Sequence, residues 1–169
     1  TNLRSITVDS DNTVYSSDSN GVLFNKDKTV LIQYPQGNTA KSYSVPNSVT
    51  SILDYSFNNC GHLEKINLPD GLKSIGAYAF YSCNNITEIE IPDTVQKINS
   101  YSFANCANLA SVEMPNALKT IGSYAFYGCS ALTEIVIPEN VTSIGNYAFQ
   151  NSNLKLVYIC SDKIAYDSN

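Results

Sequence analysis

The chain has 169 residues, 43 % hydrophobic and only 15 % charged, a balance that folds around a core, unlike that of disordered chains. Its formal net charge of −5 repels nucleic-acid phosphates and anionic membrane surfaces, so nucleic acid is not expected as a partner. No apolar run nears the roughly 18 residues that span a bilayer, so no direct membrane insertion is expected, and the opening TNLRSITVDS lacks the basic-then-apolar pattern of a signal peptide.

In chain order, residues 3–8 (LRSITV) read as an L-x-x-I-x-I strand, and AKSYSVP at 40–46 repeats it with Ala40, Tyr43 and Val45 inward. Between them GVLF, the polar NKDK and TVLIQYP predict a β-hairpin at about 14–35. Residues 1–45 are therefore expected to form an atypical first unit that covers the N-terminal side of the regular repeats. SSDSNG at 16–21 is partly like a calcium loop, but its first ligand position is Ser16; a hairpin turn accounts for Asp18, Asn20 and Gly21.

From residue 46 to 159 the sequence keeps a beat of 23 residues. Pro46, Pro69, Pro92, Pro115 and Pro138 mark it, as do Phe57, Phe80, Phe103, Phe126 and Phe149, each preceded two residues earlier by Tyr. The last of these five repeats is one residue shorter, since Leu154 lies five after its Phe where Leu132 lies six. A unit this short cannot bury its own apolar side, so the units must stack. The expected fold is an α/β solenoid in one domain over 1–169. It is a right-handed arc with a parallel sheet on the concave face and helical or 3-10 turns on the convex face. The segment AYAFYSC, with Ala79, Phe80 and Cys83 on one side, suggests the helical turn. Gly76, Gly122 and Gly145, with Asn99, hold one turn position and are residue types that tolerate φ > 0; Leu53 in the first repeat predicts a different turn there. At the end Cys160 replaces Pro, and 160–169 is a tail or cap. An uncovered strand edge there favours at most weak end-to-end association of an otherwise monomeric chain.

The outward strand positions form two columns: Ser5, Ser42, Lys65, Glu88, Ser111, Glu134, Leu156, and Thr7, Ser44, Asn67, Glu90, Glu113, Val136, Tyr158. Four glutamates thus cluster on three strands, and Val136, Leu156 and Tyr158 form an apolar end. The candidate binding residues are Lys65, Asn67, Glu88, Glu90, Ser111, Glu113, Glu134, Val136, Leu156 and Tyr158, a surface for a protein or peptide carrying basic groups. The bland alternative is a solvated face. An acid/base pair of the glycosidase kind needs a cleft, and no insertion near these glutamates builds one. Outward strand carboxylates rarely converge enough for Ca²⁺. No cofactor and no metal are expected.

Cys60, Cys83, Cys106 and Cys129 share the 23-residue beat and have no C-x-x-C spacing. They read as buried free thiols packed like small hydrophobes, and Ser152 at the equivalent place in the last repeat fits a packing role. Cys160 stands outside the column as the exposed thiol. His62, the single histidine, has no nucleophile or acid placeable beside it. The polar residues after each proline, Asn47, Asp70, Asp93, Asn116 and Glu139, read as turn chemistry.

IPDTVQKINSYSFANCANLASVEMP, MPNALKTIGSYAFYGCSALTEIVIP and IPENVTSIGNYAFQNSNL resemble the BspA-like, or Treponema-type, leucine-rich repeat family. The likeness covers 46–159, and NGVLFNKDKTVLIQYP resembles an insertion frequent in its bacterial members. The resemblance implies a leucine-rich-repeat arc and an extracellular, cell-surface protein of the kind found in gut and oral bacteria. It further implies adhesion to host or microbial surface molecules, and no catalytic residues. A structural spacer within a larger surface protein is the alternative.

Overall fold

The computed structural model describes residues 2–164. It is a parallel β-solenoid. Ile52, Ile75, Ile98, Ile121 and Ile144 lie side by side, each paired with its equivalent one repeat away. Strands are numbered in chain order: β1 Tyr15–Ser17, β2 Leu23–Asn25, β3 Val30–Gln33, β4 Ser42–Ser44, β5 Ser51–Ile52, β6 Lys65–Asn67, β7 Ser74–Ile75, β8 Glu88–Glu90, β9 Lys97–Ile98, β10 Ser111–Glu113, β11 Thr120–Ile121, β12 Glu134–Ile137, β13 Ser143–Ile144 and β14 Leu156–Ile159.

From β4 onward the even-numbered strands, β4, β6, β8, β10, β12 and β14, lie on one wall of the solenoid, the even-numbered wall. β4 pairs with β6, β8 with β10 and β12 with β14, all parallel, while β6 lies against β8 and β10 against β12. A second sheet runs in the order β1-β2-β3-β5-β7-β9-β11-β13. Its two-residue strands follow a turn opened by each repeat's proline, whose carbonyl accepts from the N–H three residues on, as in Val49 to Pro46 and Leu72 to Pro69. β1, β2 and β3 form an antiparallel meander whose last strand continues the sheet in parallel to β5.

The segment 2–8 forms no strand. The Ile6 N–H donates to Gly21 O and the Val8 N–H to Ser17 Oγ, so this stretch is held by the meander instead of extending the β4 column. Ser5 and Thr7 accordingly leave the two columns predicted for them.

The expected helical or 3-10 turns are also absent: the described residues contain no helix. The physical reason is an alternation of hydrogen bonds. Around Phe57, the N–H groups of Ser56, Asn58 and Cys60 donate back three residues to Leu53, Tyr55 and Phe57. Those of Tyr55, Phe57 and Asn59 donate instead to Ala77, Ala79 and Tyr81 on the next coil. Every second donor is taken by a neighbouring coil, so no helical ladder propagates. The alternation needs left-handed backbone at Tyr55 (φ 61°) and Asn59 (φ 58°), and Tyr78, Tyr101, Tyr124 and Tyr147 repeat it with φ between 56° and 60°. Leu53 therefore precedes the same turn as its counterparts, not a different one.

Positive φ lies on a different column from the one expected. Gly76, Gly122, Gly145 and Asn99 are not in the left-handed region. Glycine serves there because coils approach closely: a Cβ on Gly122 would stand 2.6 Å from the Ser100 nitrogen.

The rings offset the strain at the tyrosines. Left-handed backbone costs a non-glycine residue about 1–2 kcal/mol, while a stacked aromatic pair returns about 0.5–1.5 kcal/mol beyond its burial. Tyr78, Tyr101 and Tyr124 stack at 4.6 Å between centroids, near parallel. Inside them Phe57, Phe80, Phe103, Phe126 and Phe149 form a common spine with spacings of 4.9, 5.1, 5.3 and 5.6 Å. Ser56, Ala79, Ser102 and Ala125 between the two columns are fully buried, which is why only small residues occur there.

Candidate functional site

On the even-numbered wall β4, β6 and β8 alternate exposed, buried, exposed, and β10 does the same with Val112 half-buried. Tyr43, Ile66, Ile89 and Ile135 point into the core, and their neighbours face solvent. The register sets Ser111 beside Glu88 and Glu113 beside Glu90, then Leu156 beside Glu134 and Tyr158 beside Val136. Toward the N-terminal side Lys65 Nζ lies 3.4 Å from Glu88 Oε1, and Asn67 Nδ2 donates to Ser44 Oγ at 2.9 Å. The strand path thus carries all ten candidate residues on one wall.

The electrostatics of that wall are lopsided. Among the described residues the ion pairs are Lys41–Glu64 and Lys65–Glu88, so Glu90 and Glu113 face each other across a ladder without a cation. Like charges placed directly opposite destabilise a sheet by up to roughly 1 kcal/mol. Beyond them Val136, Leu156 and Tyr158 are 50 %, 43 % and 57 % exposed, a cluster of apolar side chains facing water.

Four cavities line the same wall and merge through shared residues. The largest, of about 700 Å³, lies between Glu113, Glu134, Val136 and Tyr158 and is lined also by Met114, Pro138, Glu139 and Cys160. One of about 260 Å³ lies between Glu90, Glu113, Asp70 and Asp93, one of about 200 Å³ over Lys65, Glu88 and Ser111, and one of about 120 Å³ beside Asn67, Asp70 and Glu90. Glu90 lines three of the four, and so does Glu113. Sequence reasoning missed the rim of this trough. Asp70, Asp93, Asn116 and Glu139 read as turn residues, but the proline ending each strand turns the chain at the sheet's margin, so the next polar side chain borders the trough. Position one after a strand-terminating proline was the available signal.

No group of three or more His, Cys, Asp or Glu among the described residues could hold a metal ion. Asp18 of the calcium-like segment is used structurally. Its Oδ1 accepts from the Asn20 and Val22 N–H groups, each at 2.9 Å, and its Oδ2 from the Tyr43 hydroxyl at 2.8 Å. Gly21 closes that turn at φ 73°. The neighbouring Tyr34 hydroxyl is buried with no hydrogen-bond partner, and burial first, then Cys60 and Asp18, pushes it up to about 12. His62 is exposed.

Cys60, Cys83, Cys106 and Cys129 are free and buried. The Cys83, Cys106 and Cys129 thiols donate to the Phe57, Phe80 and Phe103 carbonyls at 3.0, 3.1 and 3.2 Å. Burial pushes Cys60 and Cys129 up to about 12 and holds Cys83 and Cys106 well above the ordinary thiol range. Such thiols are poor nucleophiles. Ser152 keeps a donor at the equivalent position, its hydroxyl reaching Phe149 O at 2.5 Å. Cys160 is the exposed thiol.

The family profile described as BspA type leucine rich repeat region matches residues 35–165 in six copies. No curated protein matches the chain. A leucine rich cell surface protein of Faecalibacterium prausnitzii superposes with a TM-score of 0.88 at 32 % identity, covering 98 % of this chain and 45 % of its own. The pneumococcal vaccine antigen PcpA does so with a TM-score of 0.85 at 29 % identity, covering 94 % and 40 %. The leucine rich repeat protein of T. pallidum gives 0.73 at 25 % identity, covering 89 % and 70 %. The chain thus spans less than half the length of the first two. No helix among the described residues is long and apolar enough to cross a membrane.

Proposed function

Because the chain belongs to the BspA-type leucine-rich repeat family, we propose that it is a non-enzymatic binding module of a bacterial cell-surface protein. In this reading it engages a protein of a host or microbial surface through the wall of even-numbered strands. The observation that carries the reading is the trough on that wall: four merging cavities, bordered by Glu90 and Glu113 and ending at exposed Val136 and Tyr158. Exposed apolar side chains beside unpaired charges serve stability poorly and serve partner recognition well. The structural neighbour from F. prausnitzii is itself a cell surface protein, which supports the location. Adhesion is the biological form such binding takes in this reading.

The test is capture of surface proteins from host epithelial cells and from co-resident bacteria. It compares the wild type with a triple variant, Glu90→Gln, Glu113→Gln and Tyr158→Ala. The triple variant is expected to lose the interactions the wild type makes; an unchanged set would move the binding site off this wall. A spacer reading is favoured by one feature, the unbroken stacking of aromatic columns along the axis, which makes a stiff rod. It predicts that no interaction depends on any exposed side chain of the chain.

A further inference from the structure

The occupant's chemistry can be read from the trough, granted the binding role just proposed. Seven carboxylates line the four cavities: Asp70, Glu88, Glu90, Asp93, Glu113, Glu134 and Glu139. The single cation lining them is Lys65, already paired with Glu88. The whole chain has 15 acidic and 10 basic residues, so almost half the acids and one tenth of the bases border one trough. A like-charge bias this strong rejects an acidic partner and draws a cationic one.

The geometry sharpens this. Parallel strands stand about 4.8 Å apart, so two coils are about 9.6 Å. The carboxylates form one row over consecutive coils, Asp70, Glu90, Glu113, which pairs directly with Glu90, and Glu139; acids two coils apart are therefore Asp70 with Glu113, which border one cavity, and Glu90 with Glu139. An extended chain advances about 3.3 Å per residue, so three residues cover about 10 Å. Beyond Glu113 in the same outward column stand Val136 and Tyr158, which line the 700 Å³ cavity together with Met114. We infer that the trough takes an extended cationic segment of a partner protein lying across the coils. Two basic residues three apart meet carboxylates two coils apart in the row, and an apolar side chain beyond them fills the cavity by Tyr158. The rim acids Asp70, Asp93 and Glu139 are as much part of this site as the strand glutamates.

The experiment uses fluorescently labelled peptides and the 169-residue chain, read by polarisation. The probe is Arg-Ser-Gly-Arg-Ser-Gly-Phe, with a reordered peptide of the same composition carrying adjacent arginines and a version with Glu for Arg. The probe is expected to bind, more weakly with added salt, and at least about tenfold more tightly than either control peptide. The double variant Glu90→Gln, Glu113→Gln should lose about tenfold or more, and Asp93→Asn, Glu139→Gln likewise, while Asp9→Asn, Asp11→Asn away from the trough should change nothing. Circular dichroism checks that each variant keeps its fold. Equal binding of the reordered peptide, or undiminished binding by both trough variants, overturns the proposal. If no peptide binds while captured surface proteins are still lost from the Glu90, Glu113, Tyr158 variant, the cationic segment is wrong and the binding wall stands. If both fail, the wall falls too.

Discussion

The two walls of the solenoid obey opposite rules. On the turn wall the same residue recurs in every coil: tyrosine in left-handed backbone, a small residue, phenylalanine, then a buried thiol or, in the last repeat, a half-buried hydroxyl. On the strand wall the inward residue is always apolar, while the outward one runs through serine, lysine, asparagine, glutamate, valine and tyrosine. The difference comes from what each side chain touches. A turn-wall residue meets its own copy on the coils before and after, so a change at one place breaks two contacts. An outward strand residue meets water, and its identity is free to serve something outside the molecule.

Alkaline pH should break the turn wall most severely. A thiol whose folded pKa is raised above its unfolded value stabilises the fold below about pH 9, and that contribution is lost as pH rises toward the folded value. The slope is about 1.4 kcal/mol per pH unit for each group. With Cys60 and Cys129 pushed up to about 12 and two more held high, cooperative unfolding is expected between pH 9 and 12, followed by circular dichroism. Replacing Cys83 and Cys106 with serine, the residue already at 152, should move that midpoint upward. Next comes Phe103→Ala at the middle of the spine, expected to cost about 3–5 kcal/mol in urea denaturation, with an equal fall for Phe80→Ala. Tyr101→Ala removes two stacked contacts but keeps the left-handed backbone, and about 1–2 kcal/mol should be lost. The strand wall gives the smallest effect: Glu90→Gln with Glu113→Gln should leave stability unchanged or raise it by up to roughly 1 kcal/mol, which sharpens the contrast. A reactivity assay gives the same contrast in another form. A disulfide reagent at neutral pH should modify Cys160 alone in the native protein and all five cysteines once it is unfolded.

How much of this is legible in the sequence also divides along the walls. The stacking itself, the phenylalanine spine and the inward Ile66, Ile89 and Ile135 come from a 23-residue period and a two-residue alternation. The turn geometry does not. Ala79, Phe80 and Cys83 have helical spacing, but spacing within one coil says nothing about donors claimed by the next, and those inter-coil bonds forbid the helix. The same blindness places positive φ on glycine, when close approach explains Gly122 and the stacked rings hold Tyr101 in the left-handed region. The strand columns of the site are readable from alternation alone. The rim is not, because Asp93 and Glu139 look like any residue after a proline until the coil's path sets them beside Glu90 and Glu113.

The shared pattern of 69–91 and 115–137, identical at 14 of 23 positions, has a consequence for how such a molecule changes size. Because every coil presents the same rings and amides to either neighbour, removing or duplicating a segment of 23 residues rejoins surfaces that already fit. A segment one residue longer or shorter breaks the ladders unless, as between Phe149 and Leu154, the slack falls in a stretch that bridges the two walls. Reach along the axis is therefore a stepwise variable, lengthened or shortened by whole coils, and the outward columns can be rewritten without re-solving the fold.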